Sequence, residues 1–255
     1  MIINMQPDPT TRFTSRVGAY ERYRPSYPPE LLAVLRSECG LAASSRVADI
    51  GCGTGILSRL LLESGAEVFG VEPNAGMREA AERALAGHAN FHSVDGRAEA
   101  TRLPDASMDL VTAGQAFHWF EPAGARAEFN RILKPPGRVM LVWNERRMEP
   151  GFMADYDAAI AHYAPEQKRV NANRIASFFA GGEFREALLS NEQRLDAEGL
   201  RGRLASSSYA PEPGTPGFDR LMEAMDALFA RYQRDGQVTV RYETLVYYGT
   251  IRRPS

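Results

Sequence analysis

The chain has 255 residues, which suits one large or two small domains and leaves room for a sizeable buried core. A formal net charge of −2 gives no electrostatic footprint for nucleic acid, and 44% hydrophobic with 24% charged residues is ordinary for a globular protein. The two cysteines make neither a disulfide framework nor a metal site. Since no segment resembles a signal peptide or a membrane span, we expect a cytoplasmic protein without membrane partners.

The first half of the chain alternates between helical and strand patterns. A short helix near 13–23 and an amphipathic helix near 30–39 precede the alternating part. The strands expected after them lie near 46–50, 67–72, 90–94, 108–113 and 138–143, and the helices between them near 55–64, 75–86 and 123–133. This alternation predicts βαβ units and a parallel sheet covered on both faces, with its ligand at the carboxyl ends of the strands.

The pattern changes after Asn144. In order, we expect a helical segment at 145–182, a strand at 184–195, a short helix to 206, a loop at 207–217, an amphipathic helix at 218–234 and a strand at 238–250. The last two strands are interpreted as an antiparallel pair on the sheet. The helical segment is rich in methionine and aromatic residues, and the pattern fits core packing and a substrate pocket about equally well.

The most informative motif is a glycine-rich turn after the first strand. Gly51, Gly53 and Gly55 alternate behind Asp49, which predicts a tight strand-to-helix turn with exposed backbone N–H groups. The dinucleotide fingerprint would need glycine at position 56, where this chain has Ile56. An acid before the glycines repels phosphate but suits a ligand with an amine or a sulfonium. The turn alone also fits any Rossmann-like protein.

A second acid follows the second strand. Glu72 stands about 20 residues beyond the glycines, where a carboxylate accepts hydrogen bonds from ribose hydroxyls. Pro73 and Asn74 then begin a helix, with Asn74 as its expected cap. The alternative is a solvated surface acid. Together with Asp49 and the glycines, Glu72 favours a nucleoside with a free ribose and no diphosphate.

At this point the sequence resembles the class I S-adenosylmethionine-dependent methyltransferases over about residues 13–144. The matching segments are 47–55, 71–73, 96–99 with 103–104, 107–111 and 131–137. Within that superfamily, residues 113–120 and 20–28 are similar to a small-molecule branch that includes the trans-aconitate methyltransferase-like enzymes. The resemblance implies a Rossmann-like, doubly wound α/β fold. Its mostly parallel seven-stranded sheet would have an antiparallel last strand and a helical insertion after the fifth strand.

The resemblance divides the chain into four parts. They are an amino-terminal helical arm or lid at 1–40, the cofactor-binding core at 41–144, a helical insertion serving as substrate lid at 145–183, and carboxyl-terminal elements completing the sheet at 184–255. The sequence does not decide between a monomer and a homodimer.

The resemblance also implies S-adenosyl-L-methionine as cofactor and a set of residues around it. The glycines would approach the amino-acid part, Asp49 its ammonium, Glu72 both ribose hydroxyls, and Met77 the adenine. Many relatives have an aspartate for the adenine amino group where this chain has Arg97, so that contact passes to the backbone of Ala98 and to Glu99. The full set implied for the cofactor is Tyr20, Arg24, Asp49, Gly51, Cys52, Gly53, Thr54, Gly55, Glu72, Pro73, Met77, Arg97, Ala98, Glu99, Gln115 and Ala116.

Two further sets of residues are expected to close the site and to take part in the reaction. Arg24, in the tyrosine-rich arm, is the expected partner of the methionine carboxylate, because a guanidinium binds a carboxylate bidentately; a merely structural arm is the alternative. Gln115, His118 and Trp119 are the candidate catalytic residues. His118 would be a base for a hydroxyl, a hydrogen-bond donor to a carboxylate, or a packed structural residue.

The function expected from the sequence is methyl transfer to a small-molecule acceptor, most plausibly at a carboxylate or hydroxyl oxygen. Methylation at carbon or nitrogen of a natural product, an NAD-linked oxidoreductase and a catalytically silent cofactor-binding protein are the alternatives. No cluster of His, Asp and Glu has metal-ligand spacing, so no metal is expected.

Overall fold

The structure is a computed structural model that describes residues 17–163, 171–180, 182–207 and 209–251. Residues 13–16 of the first expected helix lie outside the described residues. The helices are α1 (Val17–Tyr23), α2 (Glu30–Cys39), α3 (Ile56–Leu62), α4 (Ala75–Ala84), α5 (Pro122–Ile132), α6 (Phe152–Tyr163), α7 (Ala172–Phe179), α8 (Ala197–Ala205) and α9 (Pro216–Tyr232). The strands are β1 (Arg46–Ile50), β2 (Glu67–Val71), β3 (Phe91–Val94), β4 (Met108–Gly114), β5 (Leu133–Arg146), β6 (Phe184–Leu195) and β7 (Val238–Gly249).

The strands form one seven-stranded sheet in the order β3-β2-β1-β4-β5-β7-β6. The first five run parallel, whereas β7 pairs antiparallel with both β5 and β6. The order reverses at β1, next to β4, and this reversal opens a crevice at the carboxyl ends where such sheets bind ligands. The predicted Rossmann-like fold with an antiparallel last strand is confirmed.

Both faces of the sheet are covered by apolar clusters. Alternate residues of one strand belong to different clusters: Val47 packs in one, and Ala48 in the other. The same division holds for Met140 and Leu141 in β5. Because side chains alternate across a strand, this division means that β1 and β5 are buried on both faces, which explains their continuous apolar runs.

A third apolar cluster lies beyond the core sheet. It joins α6, α8 and α9 to the start of β7, and we call these three helices the cap. Tyr156, Leu200 and Met225 contribute fully buried side chains from the three helices. The cap is adjacent to the site through α8, which packs against α1.

The fifth strand corrects one expectation. It was expected at 138–143 but runs over Leu133–Arg146, so 145–146 belong to the sheet and not to the helical insertion. The physical reason is the pairing with β7, which continues as far as Arg146 opposite Tyr242. The helical part of the insertion begins at Phe152, and the described residues show two helices in it, α6 and α7.

Candidate active site

The glycine turn places backbone groups at the crevice between β1 and β4. Gly51, Gly53 and Gly55 all have positive φ (67°, 57° and 84°), which side-chain-bearing residues rarely adopt. A Cβ on Gly51 would lie 2.7 Å from the Cβ of Ala116, so this position is also closed by packing. A Cβ on Gly53 would meet nothing closer than 3.5 Å. The middle glycine therefore leaves open space on the ligand side of the turn.

Asp49 is fully buried at the end of β1. Its Oδ2 accepts a hydrogen bond from Ser58 Oγ (2.6 Å) and its Oδ1 one from Thr112 Oγ1 (2.9 Å). Burial raises the pKa of Asp49 to about 6, although these two hydrogen bonds act to lower it. The site therefore holds an acid whose negative charge would be stabilised by a cation.

Glu72 is buried and connects the end of β2 to the glycine turn. Its Oε2 accepts a hydrogen bond from the backbone N–H of Gly53 (3.0 Å), and its Oε1 one from that of Asn74 (2.9 Å). Burial raises the pKa of Glu72, against these two hydrogen bonds. Asn74 caps α4 by accepting from Met77 N, as expected from the sequence. The carboxylate lies directly beside the open middle glycine.

The amino-terminal arm, residues 17–29, packs against the same crevice. The guanidinium of Arg24 stacks over the ring of Tyr20 at 4.7 Å, and its Nη2 donates to the carbonyl of Ser206 (3.2 Å). Tyr27 is buried against β4, where its hydroxyl would lie 2.5 Å from a Cβ on Gly114. The arm thus forms one wall of the site.

A narrow cavity, partly open to solvent, lies between the arm and the turn. Its lining consists of Tyr20, Arg24, Pro25, Tyr27, Asp49, Gly51, Cys52, Ile56, Leu57, Gly114 and Gln115. Six of these were predicted as site residues: Tyr20, Arg24, Asp49, Gly51, Cys52 and Gln115. The structure therefore brings residues from the arm, β1 and β4 to one place.

Gln115 stands at the carboxyl end of β4 in a left-handed conformation (φ 57°). Such a conformation is uncommon for a residue other than glycine and is often found at functional sites. The backbone is held there by a hydrogen bond from Gln115 N to Val142 O (2.9 Å), and the side-chain amide donates to Asn144 O (3.4 Å). The amide side chain is thereby fixed at the edge of the cavity.

His118 and Trp119 lie in a 3₁₀ turn, Phe117–Trp119, just after β4. Their rings are 4.7 Å apart and tilted by 45°, and neither residue lines the cavity. The carbonyl of His118 accepts a hydrogen bond from Arg174 of α7 (3.5 Å). The turn is therefore anchored to the helical insertion.

The residues expected near an adenine do not line this cavity. Arg97 is largely exposed, and its Nε donates to the Glu99 carboxylate (3.1 Å). The other Glu99 oxygen accepts from the backbone N–H of Glu121 (2.7 Å), so both oxygens of Glu99 have partners. Ala98 and Met77 are buried, whereas Pro73 is exposed.

Two buried polar atoms near the turn have no partner among the described residues: Nε of Arg24 and Oγ1 of Thr54. Buried polar groups are normally satisfied, so such atoms indicate a missing ligand or water. A carboxylate would satisfy the Arg24 atom, an ammonium would neutralise Asp49, and ribose hydroxyls could reach Glu72. The residues present thus fit S-adenosylmethionine, with its amino acid between Arg24 and Asp49 and its ribose at Glu72.

Some residues of the site did not emerge from the sequence. Ser58 and Thr112 hold Asp49, yet Ser58 lies on a helix and Thr112 in the middle of an apolar strand, where nothing marks them as functional. Tyr27 lies within the segment 20–28 that carries the resemblance, and its position against Gly114 depends on how the arm packs. Among the described residues, no group of three His, Cys, Asp or Glu side chains could hold a metal ion. No described helix is long and apolar enough to cross a membrane.

The seven-stranded order, the glycine turn and the two buried acids define the class I architecture of S-adenosylmethionine-dependent methyltransferases. A family model described as a methyltransferase domain matches residues 48–141. An uncharacterized methyltransferase of Mycobacterium tuberculosis is 43% identical over 148 residues, which are 58% of this chain and 58% of that protein. The chain thus matches less than two thirds of the length of that relative.

Two solved structures show the same fold over most of the chain. A candidate type II methyltransferase from Anaeromyxobacter dehalogenans superposes with a TM-score of 0.62 at 24% identity, covering 90% of this chain and 98% of that one. A phosphoethanolamine N-methyltransferase from Haemonchus contortus, solved with S-adenosylhomocysteine, gives 0.55 at 16% identity over 94% of this chain and 58% of that one. Residues 48–141 thus match a methyltransferase domain, and most of the chain has the fold of these solved methyltransferases.

Proposed function

We propose that the protein binds S-adenosylmethionine and transfers its methyl group to an oxygen of a small-molecule acceptor, either a carboxylate or a hydroxyl. The observation that carries the proposal is the unsatisfied Nε of Arg24, which lies across one cavity from the buried carboxylate of Asp49. A zwitterionic amino-acid group would satisfy both. The solved relative with bound S-adenosylhomocysteine supports the choice of cofactor.

When bound, the cofactor supplies an electrophilic methyl group on a sulfonium. Transfer to an acceptor oxygen forms a carbon–oxygen bond and breaks the carbon–sulfur bond, whose electron pair stays on sulfur. The residues contribute mainly by positioning and by excluding water. Tyr20, Arg24 and Tyr27 close the cavity, and Gln115 fixes one edge of it. A hydroxyl acceptor must also lose a proton, and His118 is our candidate base for that case.

The proposal of a small-molecule acceptor also rests on the resemblance of residues 113–120 and 20–28 to the trans-aconitate methyltransferase-like enzymes. The relatives described above do not name that branch. Methylation at nitrogen or carbon, NAD-linked redox chemistry and a silent cofactor-binding protein are the competing outcomes. Ile56, in place of a third fingerprint glycine, weighs against NAD.

Two measurements test the proposal. Calorimetric titration of the full chain with S-adenosylmethionine, S-adenosylhomocysteine and NAD should show binding of the first two only. Incubation with cofactor labelled in the methyl group and a metabolite library, followed by mass spectrometry, should then reveal a labelled product. A label released by mild alkali marks a methyl ester, whereas an alkali-stable label marks an ether or a methyl on nitrogen or carbon. Cofactor binding without any labelled product would favour the silent binding protein.

A further inference from the structure

Arginine and tyrosine side chains form a buried cluster between the cap and the end of β5. We call it the guanidinium–phenol cluster; its members are Arg146, Tyr156, Arg203, Tyr209 and Tyr242. Arg203 Nε donates to the Tyr242 hydroxyl (3.0 Å) and its Nη1 to Ser207 Oγ (2.9 Å). Arg146 Nη1 donates to the Tyr209 hydroxyl (3.0 Å). Two guanidinium groups thus share one buried site with three phenols.

The positive charge of the cluster is only partly compensated. Arg146 pairs with Asp157 at 2.6 Å. Arg203 is 4% exposed, yet within the described part of the chain it takes part in no ion pair. A buried guanidinium without a carboxylate is costly, because hydrogen bonds to neutral hydroxyls replace only part of its hydration. The cluster therefore carries a positive charge that one further negative charge would compensate.

The Tyr156 hydroxyl supplies an independent observation. Tyr156 is fully buried, and its hydroxyl has no hydrogen-bond partner among the described residues. Its ring lies 5.9 Å from the Cζ of Arg146, and its hydroxyl interacts electrostatically with Arg203. Burial acts to raise the pKa of Tyr209, but Arg203 and Arg146 outweigh it and lower that pKa. An unused donor thus faces a region of positive potential, which is the combination that an oxyanion requires.

The cluster adjoins the cofactor cavity. Arg24, which lines the cavity, donates to the carbonyl of Ser206 (3.2 Å), and the next residue, Ser207, accepts from Arg203. One step along the backbone therefore separates the two sites. Both lie at the carboxyl edge of the sheet, where β4 and β5 end.

We propose that the guanidinium–phenol cluster binds an anionic group, a carboxylate or a phosphate, of the methyl acceptor. Arg203 provides the charge, and the Tyr156 hydroxyl donates a hydrogen bond for which the described part of the chain offers no acceptor. This assignment rests on the proposed function, since it names the class of acceptor for that same site. The methyl acceptor would then be an anion. The guanidinium–phenol cluster would hold its charged group, and another part of the acceptor would face the cofactor.

The test is calorimetric titration of the full chain with sodium malonate, inorganic phosphate and, as a neutral probe, malonamide, all at constant ionic strength. Each titration is run with and without S-adenosylhomocysteine. We expect malonate or phosphate to bind and malonamide not to bind. Binding of malonate alone would mark a carboxylate acceptor, and binding of phosphate alone a phosphorylated one.

The diagnostic variant is Tyr156→Phe. Because its hydroxyl has no partner among the described residues, this substitution should leave the melting temperature unchanged or raised, yet raise the oxyanion Kd about tenfold. Tyr232→Phe is the matched control, since it removes a cap hydroxyl that binds Asp155 (2.6 Å) outside the cluster. Arg203→Gln should abolish oxyanion binding. If the Arg203→Gln protein does not fold, the oxyanion Kd of Tyr156→Phe decides the test.

Three outcomes would overturn the inference. One is that neither oxyanion binds while S-adenosylhomocysteine does, which leaves the proposed function intact. Another is that Tyr156→Phe binds the oxyanion within twofold of the original chain. If the oxyanion binds but S-adenosylhomocysteine does not, the proposed function fails, and with it the identification of the anion as part of a methyl acceptor.

Discussion

The Glu72 carboxylate accepts a hydrogen bond from the backbone N–H of Gly53 at 3.0 Å. This contact joins the ends of β1 and β2, so the two motifs that the sequence presents 19 residues apart form one surface. The same contact holds the glutamate in one orientation, which would pre-organise it for the ribose contact that we propose. Pre-organisation of this kind lowers the entropic cost of binding.

Replacing Glu72 tests its contact with the cofactor. Glu72→Gln keeps one oxygen for one of the two backbone hydrogen bonds but turns an amide NH2 toward the other backbone N–H, so we expect a lower melting temperature, and affinity is measured well below that temperature. Its affinity for S-adenosylhomocysteine should fall by about 1–3 kcal/mol, the usual loss for hydrogen bonds to a charged group. Calorimetry at pH 7.5 measures this loss.

The control for this substitution is Glu67→Gln at the other end of β2, where the carboxylate pairs with Arg46 and His92. It should leave cofactor affinity unchanged. Equal affinity of Glu72→Gln and the original chain would rule out the ribose role of Glu72.

Asp49 should make both stability and cofactor binding depend on pH. Its pKa is raised to about 6 in the folded protein, above the value near 3.9 of an unfolded aspartate. Between these values the folded state binds more protons than the unfolded chain, so this group's contribution to the free energy of unfolding decreases as pH rises from about 4 to about 6. A bound ammonium favours the ionised carboxylate. Cofactor affinity should therefore increase between pH 5 and pH 7, with proton release at the lower end.

Calorimetry in buffers of different ionisation enthalpy measures that proton release. Asp49→Asn should remove both the release and the increase of affinity with pH. Asp109→Asn is the control: partial burial acts to raise the Asp109 pKa, but Lys134 and Arg46 lower it overall. Asp109 therefore titrates below the range of pH 5 to pH 7 in which cofactor affinity should change. Its substitution should leave the dependence of cofactor affinity on pH unaltered. A pH-independent affinity in the original chain would show that Asp49 does not face the ammonium.

The arm should depend on the absence of a side chain at Gly114. A Cβ there would lie 2.5 Å from the Tyr27 hydroxyl, so Gly114→Ala should displace the arm and raise the Kd for S-adenosylhomocysteine at least severalfold. Combining it with Tyr27→Phe removes the nearest clashing atom and should restore part of the affinity. Gly87→Ala is the control, because nothing lies within 4 Å of a Cβ at that position.

Hydrogen exchange of the arm tests the same prediction directly. In the original chain, residues 20–27 should exchange more slowly with S-adenosylhomocysteine than without it, because the arm forms a wall of the cavity. Gly114→Ala should lose this difference. Equal exchange with and without the ligand in the original chain would contradict a closing role for the arm.

The sequence predicted those parts of the molecule that local patterns determine. The glycine turn, the acid after β2 and the Asn74 cap each follow from a few neighbouring residues with a defined backbone role. The sheet followed from the alternation of strands and helices. The antiparallel addition of β7 came from the change in pattern after Asn144 together with the family resemblance.

The remaining parts depend on contacts between distant segments. The end of β5 was missed because its last residues pair with β7 almost 100 positions later, and such pairing leaves no local signal. The guanidinium–phenol cluster was missed for the same reason: Arg146, Tyr156 and Arg203 come from β5, α6 and α8. Each looks like an ordinary surface or core residue until the cap packs on the sheet.

His118 distinguishes the two kinds of oxygen acceptor. The turn that carries it is anchored by hydrogen bonds from Arg174 to the carbonyls of His118 and Phe120, so His118→Asn should preserve the fold. A carboxylate acceptor is already ionised near neutral pH, and the variant should then keep most of kcat, with little change between pH 6 and 9. A hydroxyl acceptor needs a base, and kcat should then fall by roughly 10²–10⁴. His88→Asn, at an exposed histidine near β3, should leave kcat and KM unchanged. If His118→Asn behaves like that control in both constants, His118 has no part in the reaction, and the proton of any hydroxyl acceptor must pass to another group at the cavity.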